Sequence, residues 1–367
     1  MKISTSGRRV SAAAAVLGAA ALALAACGAA PSESGSSSTA SGAASGAADF
    51  TACIVSDSGG FDDQSFNQSS FDALKTMADA GDIKMKSAES QQDSDFATNL
   101  NGMVAAKCSL TYSVGFLLAD ATKAAATANK DMHFAIIDDN SIDLPNVKSL
   151  TYDTAQAAYL AGYVAAAQSK TGTVATFGGM KIPTVTIFMS GFAQGIEKFN
   201  EDNGKSVKLL GWDEAKQDGT FTGDFEKQDK GKQITQNFLE QGADVIMPVA
   251  GPVGKGAATA VKEAKAAGKD VALVWVDSDG YESAPQYKDL MLTSVIKAMD
   301  ASVEDVTKQA KDGKFTGEAY VGTLENGGVS IAPFHDFDSK VSDETKKAVE
   351  DLKQQIIDGK IKAEAKN

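Results

Sequence analysis

Arginine is almost absent from this 367-residue sequence, in which Arg8 and Arg9 are the only two. Sites that hold a carboxylate or phosphate through two parallel hydrogen bonds normally use the planar arginine guanidinium. Histidine is also scarce, since His133 and His335 are the only two and stand far apart in the sequence. That is too few for a zinc site or a Ser-His-Asp catalytic arrangement. The two absences argue against an anionic ligand and against those catalytic centres.

Basic residues are outnumbered along the chain, with 35 lysines and arginines against 48 aspartates and glutamates. Residues 1–26 contain three basic and no acidic residues, so the remainder holds 32 basic against 48 acidic residues, a net charge of −16. Without a basic stripe the chain cannot displace counterions from a phosphate backbone, so we expect no nucleic-acid partner. A small neutral or cationic ligand is favoured.

A long apolar run that could comfortably span a membrane is missing as well. Residues 1–26 combine basic residues with an alanine-rich run too short and too poor in large side chains for that purpose, which is typical of a secretion signal. The run ends in Leu24-Ala-Ala-Cys27, which resembles a bacterial lipobox with a diacylated cysteine. Residues 27–48 then form a Ser/Gly/Ala tract that predicts a flexible tether. We therefore expect a lipid anchor on the extracytoplasmic face of the cell membrane.

The folded part, from about residue 49 to 367, alternates β-rich runs with amphipathic helical patterns. The predicted strands lie at 50–56, 83–88, 110–118, 132–137, 148–152, 172–177, 207–212, 244–249, 271–276 and 292–296. The main helical patterns lie at 96–106, 155–169, 191–203, 230–241 and 256–267. Such alternation predicts an α/β protein with βαβ units and mainly parallel strands, divided between two sheets of about five strands each.

The pattern also predicts where the chain crosses between the two sheets. We place one crossing near 151–158 and a second near 277–287, where Asp277-Ser-Asp-Gly280 and Pro285 interrupt the alternation. Residues 49–153 then form lobe 1, completed by about 280–312, and residues 154–279 form lobe 2, completed by about 313–367. Two doubly wound lobes joined by several crossings form a hinged clamp.

The segment Asp57-Ser-Gly-Gly-Phe-Asp-Asp-Gln-Ser-Phe-Asn67 joins the first predicted strand to a helix. Its glycines allow a tight turn, and its acidic, hydroxyl and amide residues suit the start of a helix. Helix capping alone is therefore one interpretation. Ligands of open α/β sheets bind at the carboxyl ends of strands, so the polar groups beside Phe61 and Phe66 favour ligand contact as well.

Short blocks throughout residues 50–335 carry a family resemblance. The blocks are the 57–67 segment, Phe134-Ala-Ile-Ile-Asp138, Ala161-Gly-Tyr163, Phe177-Gly-Gly179 with Pro183, Gly191-Phe192, Gly242-Ala-Asp-Val245, Trp275-Val-Asp277 and Leu292-Thr-Ser-Val-Ile-Lys297. In order and spacing they resemble the basic membrane protein family, the lipoprotein substrate-binding components of ABC importers for nucleosides. The resemblance implies the type I periplasmic-binding fold and a nucleoside ligand, with a preference for purines. It implies no cofactor and no catalysis. It also implies a monomer whose partners are an ABC permease and its ATPase.

The resemblance also implies a set of ligand-binding residues. They are Asp63, Ser65, Phe66, Asn67, Asp138, Phe225, Gly251, Asp277 and Lys297. The two phenylalanine rings would sandwich the base, Asn67 and Asp138 would bind the base edge with help from Asp63, and Asp277 and Lys297 would hold the ribose hydroxyls near the Gly251 backbone. Both rings could instead belong to the core, and Asp139 competes with its neighbour for the place at the cleft.

Other functions remain as alternatives. Residues 57–63 resemble the calcium loop of nucleoside hydrolases, but Ser58 and Gly59 replace its second aspartate and its proline, which removes a ligand from a cage of about six to eight oxygens. Gly254-Lys255-Gly256 is not a phosphate-binding loop, since Val249 replaces the upstream glycine and no hydroxyl residue follows the lysine. A sugar-like or quorum-signal ligand, or a sensor role without import, would suit the same fold.

Two cysteines lie within the folded part. Cys53 is in the first predicted strand, and Cys108 stands just before the strand that begins at Leu110. These strands are neighbours in a doubly wound sheet of flavodoxin-like order, so an extracellular disulfide is one alternative and two buried free thiols the other.

Overall fold

The computed structural model describes residues 50–365. The predicted secretion signal at 1–26, the lipidation site Cys27 and the tether at 27–48 lie outside the described residues and stay predictions.

The described residues alternate strands with helices from Thr51 onward. The strands are β1 (Thr51–Ser58), β2 (Lys84–Ser90), β3 (Leu110–Val114), β4 (His133–Ile137), β5 (Val147–Tyr152), β6 (Thr173–Gly178), β7 (Lys208–Leu210), β8 (Trp212–Asp213), β9 (Asp218–Gly219), β10 (Val245–Val249), β11 (Ala272–Asp277), β12 (Met291–Lys297), β13 (Tyr320–Gly322) and β14 (Val329–Ile331). The helices are α1 (Phe66–Asp79), α2 (Asp93–Ala105), α3 (Ala119–Ala128), α4 (Thr154–Gln168), α5 (Pro183–Asn203), α6 (Gln228–Glu240), α7 (Gly254–Ala266), α8 (Gly280–Ser283), α9 (Met299–Lys311) and α10 (Asp343–Ile357).

The strands form two six-stranded sheets, which confirms the predicted α/β class. The first sheet has the order β13-β5-β4-β3-β1-β2, and the second has the order β14-β12-β11-β10-β6-β7. All pairings in both sheets are parallel except the one between β12 and β14. The inner strands β3, β10 and β11 are buried along their whole length, as expected when helices cover both faces of a parallel sheet. Each sheet with its helices forms one lobe.

Lobe 1 contains a disulfide between Cys53 and Cys108, with 5.9 Å between their Cα atoms. Strands β1 and β3 are neighbours, and Ala52 pairs with Leu110. That register brings the residue before β3 beside β1, so the structure contains the bonded form of the two that the sequence left open.

The chain crosses between the lobes three times: from β5 to α4, from β12 to α9, and from β13 to β14. The crossing predicted near 277–287 was wrong. Those residues stay in lobe 2, where α8 and a short 3-10 turn connect β11 to its parallel neighbour β12. The glycine and proline that suggested a linker belong instead to a compact crossover within one sheet.

The C-terminal assignments change accordingly. Strand β12 lies in the sheet of lobe 2 although 280–312 was assigned to lobe 1, and β13 lies in the sheet of lobe 1 although 313–367 was assigned to lobe 2. Helix α9 does pack on lobe 1, where the Tyr112 hydroxyl donates to the Val303 carbonyl at 2.9 Å. The three-residue strands β13 and β14 are too short to give a periodic signal in sequence.

Candidate functional site

A cavity lies between the lobes, where the carboxyl ends of the parallel strands of both sheets face each other. Together with the solvent at its open mouth, it comprises about 540 Å³ of space that no protein atom occupies. Of the nine residues predicted to bind ligand, eight line it: Asp63, Phe66, Asn67, Asp138, Phe225, Gly251, Asp277 and Lys297. Ser65 does not line this cavity. Its hydroxyl donates instead to Asp277 Oδ2 at 2.9 Å and lies 3.1 Å from the Val276 carbonyl, so Ser65 positions Asp277.

The site contains a buried cluster of two carboxylates around one lysine, which we call the lysine cluster (Asp138, Asp277 and Lys297). Lys297 Nζ lies 2.5 Å from Asp138 Oδ2 and 3.5 Å from Asp277 Oδ1. The residues come from the carboxyl ends of β4, β11 and β12, and both aspartates have positive φ, 65° and 71°. A non-glycine residue in the left-handed region is uncommon and costs conformational energy, which concentrates at functional sites.

The ammonium of the lysine cluster stays charged. Burial alone would lower the pKa of Lys297, but the two adjacent carboxylates outweigh burial and raise it. Burial raises the pKa of Asp138, and the ammonium counteracts that shift. Lys297 Nζ also lies 4.9 Å from the centre of the Phe66 ring and 5.0 Å from that of Phe188, within the range of a cation–π contact.

Asp63 is held by the backbone at the start of α1. Its carboxylate accepts from the amides of Ser65, Gln68 and Asn67 at 2.9, 3.0 and 2.8 Å. Burial raises the pKa of Asp63 to about 6, and these three hydrogen bonds oppose the shift. Asp63 therefore caps the helix although it borders the cavity.

The site also contains a buried polar pair, which we call the amide pair (Asp57 and Asn67). Asn67 Nδ2 donates to Asp57 Oδ1 at 2.9 Å. Asn67 Oδ1 is buried and has no hydrogen-bond partner within residues 50–365. Burial raises the pKa of Asp57 to about 8, and the nearby carboxylates add to that shift.

Asp57 lines the cavity, and the sequence analysis did not select it as a ligand contact. It is the penultimate residue of β1, and its position at a strand end was the signal that could have found it. The Asp57 side chain fits beside Gly115, which has a φ of 114°, because that residue has no side chain. A Cβ there would lie 2.2 Å from Asp57 Oδ2.

The Phe225 ring is seated against the glycine that ends the second Gly-Gly turn of the sequence. A Cβ on Gly179 would lie 2.3 Å from the ring, so the ring reaches its place only because that residue has no side chain. Phe225 and Phe66 are both half-buried and line the same cavity, which leaves part of each ring available to a ligand.

The loop of lobe 1 that precedes α1 also contacts lobe 2 directly. The Gln64 carbonyl lies 3.2 Å from Trp275 Nε1, 3.3 Å from Ser278 Oγ and 3.0 Å from Ser283 Oγ. Gln64 has a positive φ of 62°, in the left-handed region, and its carbonyl faces lobe 2. We call these three hydrogen bonds the Gln64 contact; they join the lobes beside the cavity without taking part in its lining.

Two features are absent from residues 50–365. No three histidine, cysteine, aspartate or glutamate side chains of that range are grouped as metal ligands. None of the helices in the same range is both long enough and apolar enough to cross a membrane.

A family model described as "ABC transporter substrate-binding protein PnrA-like", of the Bmp family, matches residues 50–367. The chain belongs to the Bmp family of ABC transporter substrate-binding proteins. The resemblance seen in the sequence is thereby confirmed. A substrate-binding component implies a ligand and a permease with its ATPase as partners of this Bmp protein.

Curated relatives agree with this membership. The Bmp protein is 35% identical over 333 residues to the "ABC transporter nucleoside-binding protein BmpA" of Lactococcus lactis subsp. cremoris, covering 87% of this chain and 90% of that one. It is 33% identical over 332 residues to a "CD4+ T-cell-stimulating antigen" of Listeria monocytogenes, covering 87% and 89%. These matches extend over nearly the whole of each relative.

The fold is also that of solved structures. An ABC transporter solute-binding protein from Aeropyrum pernix superimposes with a TM-score of 0.78 at 24% identity, covering 85% of this chain and 92% of that one. The predicted type I periplasmic-binding fold is confirmed.

Proposed function

We propose that this Bmp protein binds a purine nucleoside between its lobes and presents it to an ABC permease from a lipid-anchored position outside the cell. The observation that carries the proposal is one interlobe cavity bordered by two half-buried phenylalanine rings, the lysine cluster and the amide pair. A nucleoside has two aromatic faces, a base edge and a vicinal diol, and each has a chemical counterpart in that set.

The rings of Phe66 and Phe225 suit the two faces of a base. Stacking on an aromatic side chain contributes about 1 to 3 kcal/mol per base and tolerates different bases. A free sugar has no aromatic face to stack on two rings, which favours a nucleoside over a free sugar.

The lysine cluster suits the ribose hydroxyls. Its carboxylates accept hydrogen bonds from hydroxyl groups, and charged acceptors make these bonds stronger than neutral ones do. Because Asp138 shares Lys297 with Asp277, we assign Asp138 to this end of the ligand and not to the base edge. We assign Asp57, in place of Asp138, to the base edge together with Asn67.

We expect the cavity to bind a phosphate group poorly. The lysine cluster already offsets its single ammonium with two carboxylates, and Lys297 is the one cation among the described residues that line the cavity. We expect AMP to bind far more weakly than adenosine, because its phosphate would meet uncompensated negative charge.

The printed name of the Lactococcus relative, a nucleoside-binding protein, is consistent with this ligand. The lipid anchor rests on the Leu24-Ala-Ala-Cys27 segment. Globomycin-sensitive processing and mass spectrometry of the mature N-terminus would test it, and an unmodified cysteine would contradict it.

Calorimetry of the purified protein tests the ligand. We expect one molecule of adenosine, guanosine or inosine to bind intact, and ribose, adenine and AMP to bind much more weakly. Calcium should make no difference. Release of free base only in the presence of calcium would instead support the nucleoside hydrolase alternative, and no heat from any nucleoside would contradict the proposed ligand.

A further inference from the structure

The amide pair has hydrogen-bonding capacity that the protein itself does not use. The Asn67 amide donates to Asp57 Oδ1, and this contact fixes which end of the amide faces the carboxyl group. The other end, Asn67 Oδ1, is buried without a hydrogen-bond partner in the described chain. An unpaired buried acceptor carries a cost in stability. A ligand that brings a donor to this oxygen would recover that cost.

Asp57 supplies a second oxygen beside it. Asp57 Oδ1 accepts from Asn67, while Asp57 Oδ2 lies in front of Gly115 and makes no hydrogen bond within residues 50–365. Asn67 Oδ1 can only accept. Asp57 Oδ2 accepts when the carboxyl is ionised and can donate when it is protonated.

The charges around Asp57 favour the protonated form. The carboxylates that act on it are Asp63 at the start of α1, Asp138 after β4 and Asp277 at the end of β11. The cavity's one cation among the described residues, Lys297, contacts Asp138 and Asp277 and not Asp57. Burial with these neighbours raises the pKa of Asp57 to about 8, so its proton is exchangeable near neutral pH.

Resting on the proposed nucleoside function, we infer that the amide pair selects the base and that the proton on Asp57 switches it between two purine edges. With the proton, the pair offers one donor and one acceptor, which matches the amino group and ring nitrogen of adenine. Without it, the pair offers two acceptors, which matches the N1–H and the 2-amino group of guanine. Guanosine binding therefore expels the proton from Asp57, and adenosine binding retains it.

The switch has a quantitative signature. The apparent affinity of each nucleoside scales with the fraction of protein in the protonation state it requires. For a pKa of about 8, raising the pH from about 6.5 to about 8.5 weakens adenosine binding about 4-fold and tightens guanosine binding roughly 25-fold. The preference between them shifts by about 100-fold.

Calorimetry of the purified protein in two buffers of different ionisation enthalpy measures both effects. Near neutral pH, guanosine should release close to one proton per molecule bound, and adenosine close to none. The Asp57→Asn variant cannot ionise and offers one donor and one acceptor, as the protonated pair does, so it should favour adenosine over guanosine at every pH, without proton exchange and with a pH-independent ratio. The matched control Asp79→Asn, on the surface of α1, should retain the exchange and the shift in preference.

The outcomes separate two failures. Binding of both nucleosides with a constant ratio and no proton exchange in the unmodified protein would overturn this inference and leave the proposed function standing. No binding of either nucleoside at either pH would overturn the proposed function and this inference with it. Because the proton count is measured on the unmodified protein, the test does not depend on the folding of the Asp57→Asn variant.

Discussion

The lysine cluster and the amide pair accommodate buried carboxyl groups in different ways. Each contains buried carboxyl groups, which are costly to ionise away from water. In the lysine cluster an ammonium 2.5 Å from Asp138 Oδ2 compensates the charge. In the amide pair the partner is a neutral amide, and burial raises the pKa of Asp57 to about 8. The lysine cluster therefore offers fixed charges, and the amide pair offers a carboxyl group whose charge depends on pH.

Removing the ammonium of the lysine cluster should have the largest effect on stability and on ligand binding. Lys297→Met leaves Asp138 and Asp277 buried without a counter-ion, and removal of one partner of a buried ion pair costs about 3 to 5 kcal/mol. Denaturant unfolding should show a loss of that size, and nucleoside binding should be lost. The surface control Lys308→Met breaks only an exposed pair with Glu304 and should leave the free energy of unfolding almost unchanged. Equal losses for the two variants would contradict the compensating role of Lys297.

Removing the ionisable group of the amide pair should change how stability depends on pH. Burial raises the pKa of Asp57 from 3.8 to about 8, so the folded protein holds a proton that the unfolded chain releases above about pH 4. The free energy of unfolding of the ligand-free protein therefore falls as the pH rises through this interval. The contribution is at most about 1.4 kcal/mol per pH unit.

Asp57→Asn removes that contribution. We expect the variant to be more stable than the unmodified protein, by a margin that grows from about pH 5 to about pH 8. Chemical denaturation at both pH values measures the margin. Asp63, whose pKa burial raises to about 6, is present in both proteins, so the comparison isolates Asp57 together with its coupling to Asp63. A margin that stays constant with pH would show that Asp57 is ionised throughout.

Removing either phenylalanine ring of the cavity should weaken the binding of every nucleoside and leave the binding of free sugar unchanged. Phe66→Ala or Phe225→Ala removes one stacking partner, so each should weaken nucleoside binding by about 1 to 3 kcal/mol without changing the weak affinity for ribose. The matched control Phe71→Ala removes a ring that stacks on Phe61 outside the cavity and should reduce stability but not affinity. Calorimetry measures these affinities. An equal loss for ribose would point to a change in the shape of the cleft.

The Gln64 contact involves neither the lysine cluster nor the amide pair, so its loss should affect the release of every nucleoside equally. The double variant Ser278→Ala/Ser283→Ala removes two of its three donors, at about 1 kcal/mol for each hydrogen bond. Stopped-flow release of adenosine and guanosine should accelerate by the same factor. Ser342→Ala, which removes the cap of the distant helix α10, should leave both rates unchanged. Unequal acceleration would mean that the contact reaches the base.

Most of the fold could be predicted because its signals are local. The β-rich runs and helical patterns recur with the lengths of βαβ units, and the structure places ten predicted strands in or beside the observed ones. The C-terminal exchange between lobes could not be predicted, because β12 joins lobe 2 through pairing with β11, a non-local contact. The three-residue strands β13 and β14 carry too few side chains to show alternation.

Most of the predicted residues do line the cavity, but the contacts between them could not be predicted from the sequence. The family blocks indicated eight residues that line the cavity, but not that Ser65 faces Asp277 or that Lys297 binds Asp138 across the lobes. Those contacts depend on how two separately folded lobes meet. The unused oxygen of Asn67 depends further on the orientation of one amide, which no sequence pattern encodes.

A crystal structure of the protein with adenosine tests the account most directly. We predict the base between the rings of Phe66 and Phe225, its amino group within hydrogen-bonding distance of Asn67 Oδ1, and the ribose hydroxyls on the lysine cluster. A ligand in the reverse orientation, with its ribose at the amide pair, or one bound outside this cavity, would contradict it.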